Sequence, residues 1–468
     1  MSQFTFSGGI HPYDGKELSK DKPVKELLPK GDLVFPLSQH IGAPAKPVVE
    51  KGDHVKVGQM IAEAGGFVSA NIYSSVSGVV KSIEKHRVPV QDMVDSIIIE
   101  NDGAYEEVEY PPVRPFEELT GADIVSAVKA AGVVGLGGAG FPTHVKLSPK
   151  EPDKIDYIIA NCAECEPYLT SDYRRMMENP EELVGGMECI LKIFPKAKGI
   201  IAIEDNKPDA IEKLQGMVSS IPNIEVYAMT TKYPQGSERH IIYACTKREI
   251  NSKMLPADAG CIVDNCETLV AINRAVRQNK PLFQRIVTIT GDAVNDPRNF
   301  AVRCGTSFNE LIEAAGGFKM EPGKIISGGP MMGFAVFDTD VPVTKTSSAM
   351  LCLLEDQVSK TVETACINCG RCVDACPEKL IPSQLATFAE HEDYDNYNRL
   401  FGTECIECGS CTYVCPAKRQ LAQAIKSMKR LAMGKARAEA AKKKAAAEKA
   451  AEEGKAAAKN DAKKGGDK

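Results

Sequence analysis

Two stretches thirty-nine residues apart carry the strongest constraint on this chain: CINCGRCVDACPEKL at 366–380 and CIECGSCTYVCPAKR at 405–419. Each is C-x2-C-x2-C-x3-C-P. Three closely spaced thiolates can wrap one face of an iron–sulfur cubane, while the fourth, set before the proline, points away. Where the pattern occurs twice, the fourth cysteine is expected to serve the other repeat's cluster. The spacing therefore predicts Cys366, Cys369, Cys372 and Cys415 on one [4Fe-4S] cluster, and Cys405, Cys408, Cys411 and Cys376 on a second. Gly370, Gly409 and Ser410 leave room for the cluster and for N–H bonds to its sulfurs. Two four-cysteine zinc sites are the competing reading, and the repeated Cys-Pro weighs against it.

The other eight cysteines (Cys162, Cys165, Cys189, Cys245, Cys261, Cys266, Cys304 and Cys352) are scattered, out of sixteen in all. A chain of 468 residues needs no disulfide staples, so burial is the expectation for most of them. No apolar run approaches the ~18 residues of a membrane-spanning helix, and the start, MSQFTFSGGIHPYDGKEL, lacks the pattern of a secretory signal. The sequence thus reads as cytosolic. The net charge of −6 is uneven: from Ala417 onward there are 16 Lys or Arg against 6 Asp or Glu, which leaves −16 on the rest. An acidic body argues against nucleic acid as a partner.

Along the chain the pattern changes four times. Region 1–112 contains KGDHVKVGQMIAE and SSVSGVVKSIE, the two halves of a lipoyl-like barrel-sandwich, with AGGFVSANIY between them and no carrier Lys. Region 113–282 alternates apolar strands (KIDYIIAN, KGIIAIED, IEVYAMT, AGCIVDN) with helical spacing over 179–193, 207–219 and 266–278, which argues an α/β domain. Region 283–345 places one helix, 307–315, between strand pairs, a β-grasp-like pattern. Region 346–430 holds the cysteine repeats. Region 431–468, rich in Ala, Lys and Glu, cannot bury a core and reads as disordered or a solvated helix. The fold class is thus multidomain α/β + β with a helical two-cluster domain.

Clusters pass single electrons, so another site must feed or drain them. The segment GLGGAGFPTHVK (135–146) satisfies G-x-G-x-x-G loosely, but it follows a helical stretch, and Asp156 opens the next strand rather than closing it. It is a poor Rossmann fingerprint and a good phosphate cradle, with Lys146 nearby to add charge. NCAECEP (161–167) sets Asn161, Glu164 and Glu166 at a strand's C-terminal end, where open α/β sheets bind ligands. A helix N-cap cluster is the alternative for those carboxylates. The seven histidines form no metal pattern, and no Ser/His or Cys/His pair supports a protein-borne catalytic group.

GLGGAGFPTHVK, NCAECEP, YPQGSE and VDNCETL stand in the order found in the flavin- and NADH-binding subunit of respiratory complex I. With a barrel-sandwich in front and a double ferredoxin repeat behind, residues 1 to about 425 resemble the C subunit of the Rnf complex. That resemblance implies non-covalent FMN held by Gly135, Gly137, Gly138 and Lys146 and lined by Asn161, Glu164, Tyr233, Asp264, Asn265 and Thr268. It implies NADH stacked on Phe141 and met by Glu166 and Glu238. The family's Arg is Leu136 here, its paired glutamates are Ser237 and Glu238, and one flavin Asn is Asp264, whose charge would lower the flavin potential. Implied too are hydride exchange between NAD(H) and FMN, single-electron exchange with two [4Fe-4S] clusters, and ferredoxin:NAD+ oxidoreductase activity within an ion-translocating translocase. The implied partners are membrane subunits, one of them a ferredoxin-like electron donor, and the implied location is the cytoplasmic face of the membrane, peripherally. A soluble cobalamin reductase and a cluster-only relay are the competing readings.

Overall fold

The computed structural model describes residues 4–435, 437–439 and 442–443; the expectation for the tail beyond 443 lies outside them. Two compact units emerge, Met1–Thr361 and Val362–Lys468. Among the described residues no helix is long and apolar enough to cross a membrane.

The first unit opens with β1 (Lys25–Leu27), which leaves its neighbours and joins a distant sheet. The barrel-sandwich follows. Strands β2 (Leu33–Pro36), β4 (His54–Val55), β7 (Gly78–Arg87) and β8 (Met93–Asn101) form one sheet. Strands β3 (Lys46–Pro47), β5 (Met60–Glu63) and β6 (Ile72–Tyr73) form the other. Leu33, Phe35, Ile61, Ile72, Val80, Ile97 and Ile99 fill the space between them. The β5–β6 connection presents an exposed Phe67 where a carrier protein would hold its lysine.

The α/β part has four parallel strands, β9 (Tyr157–Cys162), β10 (Lys198–Glu204), β11 (Ile224–Met229) and β12 (Cys261–Asn265), in the order β11-β10-β9-β12. Alternation along each strand sends Ile158, Ala160, Ile201 and Ile262 to one face and Ile159, Ile200, Ala202 and Val263 to the other. The first face packs on α1 (Gly121–Ala130), α3 (Ser171–Glu178), α4 (Pro180–Ile193), α5 (Pro208–Val218) and α7 (Cys266–Gln278), with the short α2 (Thr143–Lys146) between α1 and β9 in the chain. The second face packs on α6 (Glu238–Thr246). The chain winds outward from β9 to β11 and then returns to the far side of β9, so the topological switch point lies between β9 and β12. Ligands bind outside the carboxyl ends of such strands at that crevice.

The third part is a six-stranded mixed sheet, β1-β14-β13-β17-β15-β16, made by β13 (Gln284–Thr290), β14 (Arg298–Arg303), β15 (Lys324–Ser327), β16 (Phe334–Val336) and β17 (Ala349–Leu353), with α8 (Phe308–Ala314) against it. Two of its strands lie outside residues 283–345. Strand β17 lies between β13 and β15, beyond the boundary at 345, and β1 falls in the N-terminal region although it pairs with β14. The second unit holds α9 (Arg371–Ala375), α10 (Pro382–Glu390), α11 (Tyr394–Arg399), α12 (Ser410–Tyr413) and a helical run over 421–435, around Leu385, Tyr397, Leu421 and Ile425.

Candidate functional site

The switch crevice is floored by two asparagines. Asn161, next to last in β9, and Asn265, the last residue of β12, lie side by side in register. Over them runs the glycine-rich loop. Its neck is closed by Gly135 N–H donating to the Phe141 carbonyl (2.8 Å), and Leu136 N–H donates to Thr268 Oγ1 on α7 (3.0 Å). Beyond that point Gly137, Gly138 and Ala139 are exposed. A Cβ on Gly137 would lie 2.9 Å from Asn265 Cβ, so only glycine lets the loop sit this close to the strand end. A Cβ on Gly138 would meet nothing within 4 Å: that side is open. Among the described residues the Gly137 and Gly138 amides have no partner within the chain.

Charge gathers at the same strand ends. Lys146 Nζ donates to the Val263 carbonyl (2.6 Å) and Asp264 Oδ1 (3.1 Å). Burial would lower the Lys146 ammonium, but Asp264 and Glu238 hold it above its ordinary value. Burial pushes the Asp264 carboxyl up, and loss of solvent around its carboxyl does the same for Glu238, whose residue is otherwise exposed, with Lys146 opposing in both. The negative charge expected from Asp264 is thus met by a cation in contact with it.

In the second unit the backbone repeats with the sequence. Left-handed φ values recur at matching positions: Asn368 (55°) and Glu407 (62°), Gly370 (78°) and Gly409 (77°), Lys379 (57°) and Lys418 (56°). Cys376 lines one cavity together with Cys405, Cys408 and Cys411, the set that the spacing assigns to the second cluster. Leu380 N–H and Glu407 N–H approach Cys376 Sγ and Cys405 Sγ at 3.3 Å each. Burial, reinforced by neighbouring thiols, pushes Cys405 up to about 11 and Cys411 higher still. A cationic iron centre reverses that balance. Among the described residues no three Cys, His, Asp or Glu side chains close on a single-ion point; the four thiols ring a cavity instead. In the first set Cys372 is buried, Cys415 half-buried, and Cys366 and Cys369 exposed.

Family models match four segments in succession: the RnfC barrel sandwich hybrid domain over 4–104, the Nuo51 FMN-binding domain over 128–274, the SLBB domain over 286–335 and the 4Fe-4S dicluster domain over 365–419. The C subunit of the proton-translocating ferredoxin:NAD(+) oxidoreductase complex of Clostridium ljungdahlii is 47% identical over 402 residues, covering 85% of this chain and 88% of the relative. Its counterpart in the Na(+)-translocating complex of Acetobacterium woodii is 43% identical, covering 84% and 88%. The one in the ion-translocating oxidoreductase complex of Rhodobacter capsulatus is 38% identical, covering 82% and 75%. The chain belongs to this C-subunit family.

The crevice meets the demands of the flavin cofactor that membership in the C-subunit family brings. Its loop offers free amides over an open space. Among the described residues buried Asp264 Oδ2 has no hydrogen-bond partner, nor has either amide atom of Gln235. Buried polar atoms need partners, and a polar ring edge supplies them. Gln235 escaped the sequence reading; its place in YPQGSE, next to Gly236, whose carbonyl accepts from Asn161 Nδ2 (2.8 Å), was the available signal. The structure thus brings together Gly135, Gly137, Gly138, Lys146, Asn161, Asp264, Asn265, Thr268 and Glu238, with half-buried Phe141 at the loop's neck. Two expected residues have their side chains engaged elsewhere. Glu164 accepts the Asp172 and Tyr173 amides at the start of α3 (2.7 and 3.3 Å), the helix-cap alternative. Glu166 Oε1 accepts the Met331 and Met332 amides (2.7 and 3.1 Å). Tyr233 is buried, and its backbone exchanges hydrogen bonds with Ile10.

Proposed function

We propose that this chain is the NAD(H)-reactive electron-transfer subunit of a membrane-bound, ion-translocating ferredoxin:NAD oxidoreductase complex, held peripherally at the cytoplasmic face. It is an oxidoreductase subunit that carries FMN and two [4Fe-4S] clusters, with NAD(H) as substrate and the other subunits of the complex, including a ferredoxin-like donor, as partners. Its domains are the barrel-sandwich, the flavin-binding α/β domain, the β-grasp-like SLBB domain and the helical dicluster domain. The observation that carries this reading is the pairing, within one chain, of an open glycine-rich loop over a switch-point crevice with a cavity ringed by four thiols.

Bound FMN supplies the conversion between a two-electron hydride and single electrons, which the clusters accept one at a time. The chain's own residues bind and orient. The Gly137 and Gly138 amides receive the phosphate, and Asn161, Asn265, Asp264 and Gln235 line the ring. Thr268 fixes the loop. Lys146 neutralises the strand-end carboxylates, and Phe141 and Glu238 face the dinucleotide. No side chain has to act as general acid or nucleophile.

The test is an anaerobic assay of the FMN-loaded chain with NADH and ferricyanide, a one-electron acceptor. NADH is expected to be oxidised, and Asn265→Ala is expected to lose most of that activity. An FMN-loaded wild type that is inert toward NADH overturns the proposal.

A further inference from the structure

One buried cation lies behind the glycine-rich loop and belongs to a different sheet. Arg285, the second residue of β13, is 3% exposed. Its Nε and Nη2 donate to the Ser347 carbonyl (3.3 and 3.1 Å), and Nη2 donates also to the Leu136 carbonyl (3.2 Å). Among the described residues no carboxylate lies within ion-pair distance of this guanidinium, and its Nη1 has no hydrogen-bond partner. Glu267 and Asp172, which feel its charge from farther away, are already engaged, Glu267 with Arg175 and Asp172 with the Asn265 amide. A buried guanidinium in that condition is costly unless an anion answers it.

The Leu136 carbonyl shares a peptide unit with the Gly137 amide. A trans peptide is planar, with its C=O and N–H pointing in opposite directions. A hydrogen bond that draws the Leu136 carbonyl toward Arg285 therefore turns the Gly137 N–H away from Arg285, toward the open side of the loop. A cation on the carbonyl also polarises the peptide and strengthens the N–H as a donor. On its other flank Leu136 is pinned by its own N–H to Thr268, so this peptide has little freedom to rotate. Leu136 brings no charge of its own to the loop.

We propose that Arg285 is a positioning residue for the flavin phosphate: from β13 it holds the Leu136 carbonyl inward, presents the Gly137 amide outward, and sets a buried positive charge behind the phosphate. This rests on the loop being the FMN phosphate cradle, and it makes the SLBB sheet a part of the flavin site.

Riboflavin lacks the phosphate and separates the two effects. Quenching of flavin fluorescence would give FMN and riboflavin affinities for the full-length wild type, Arg285→Met and Arg285→Lys. Loss of one charge-assisted contact predicts that Arg285→Met binds FMN at least about tenfold more weakly. Riboflavin affinity is expected to hold within about twofold, and Arg285→Lys to recover most of the FMN affinity, because it restores charge and donor. Unchanged FMN affinity in Arg285→Met, parallel loss of both flavins, or a Lys variant no better than Met overturns the role of Arg285. A wild type that does not prefer FMN to riboflavin sinks the phosphate cradle itself, a separate and recognisable failure.

Discussion

Neighbouring glycines at the loop tip differ in what a methyl group would meet. On Gly137 it collides with Asn265, whereas on Gly138 it enters open space. If that space receives the phosphate, Gly138→Ala should melt within about 1 °C of wild type, as surface changes generally do, yet bind FMN at least about tenfold more weakly. Thermal melts beside fluorescence titrations decide it; undiminished FMN affinity would move the phosphate elsewhere. Lys345 lies on the chain just before β17. It is fully buried and donates to the Asn71 and Gly132 carbonyls (2.5 and 2.7 Å), and burial pulls its pKa from 10.5 to about 8. Between those values the unfolded chain binds a proton that the folded chain does not, so stability rises with pH across the window. Urea titrations from pH 8 to 10.5 should show wild type gaining on the order of 2 kcal/mol over Lys345→Met. A flat difference would mean that the ammonium is not buried as described.

Helices α4 and α7 meet through glycine. A Cβ on Gly186 would stand 2.0 Å from the Leu269 carbonyl oxygen, and one on Gly185 would stand 2.3 Å from Asn273 Oδ1. Gly186→Ala gains helix propensity of about 1 kcal/mol, but it must push the helices apart. The net expectation is a loss of about 2–3 kcal/mol in urea unfolding, from overpacking, and a gain would show that the helices part easily. Because Cys376 shares its cavity with the second repeat, Cys376→Ala and Cys405→Ala should remove the same cluster EPR signal, and Cys372→Ala the other. Loss of one signal by Cys372→Ala and Cys376→Ala alike would return each cysteine to its own repeat. Much of this was legible. Helices 180–193, 208–218 and 266–278 and the strands between them follow apolar periodicity, and the cysteine spacing anticipates the cavity set. What escaped depends on partners remote in sequence. Strand β1 is three residues with no buried face of its own, visible only through β14. Glu164 reads equally well as a flavin ligand or a cap until α3 and the buried Lys16 are placed beside it. Arg285 looks like an ordinary strand residue until the loop lies over it.

The whole chain joins a two-electron site to one-electron carriers, and neither makes sense alone. The flavin crevice belongs to the unit ending at Thr361 and the thiol cavity to the unit that follows, so electrons entering at one are expected to reach the other within a single polypeptide. The most direct measurement is an anaerobic NADH titration of the chain carrying FMN and iron, with flavin absorbance and cluster EPR followed on the same samples. The flavin is expected to bleach and reduced [4Fe-4S] signals to grow in step with the NADH added. Clusters that dithionite reduces but NADH does not, beside a flavin that stays oxidised, would contradict this and leave the chain a relay.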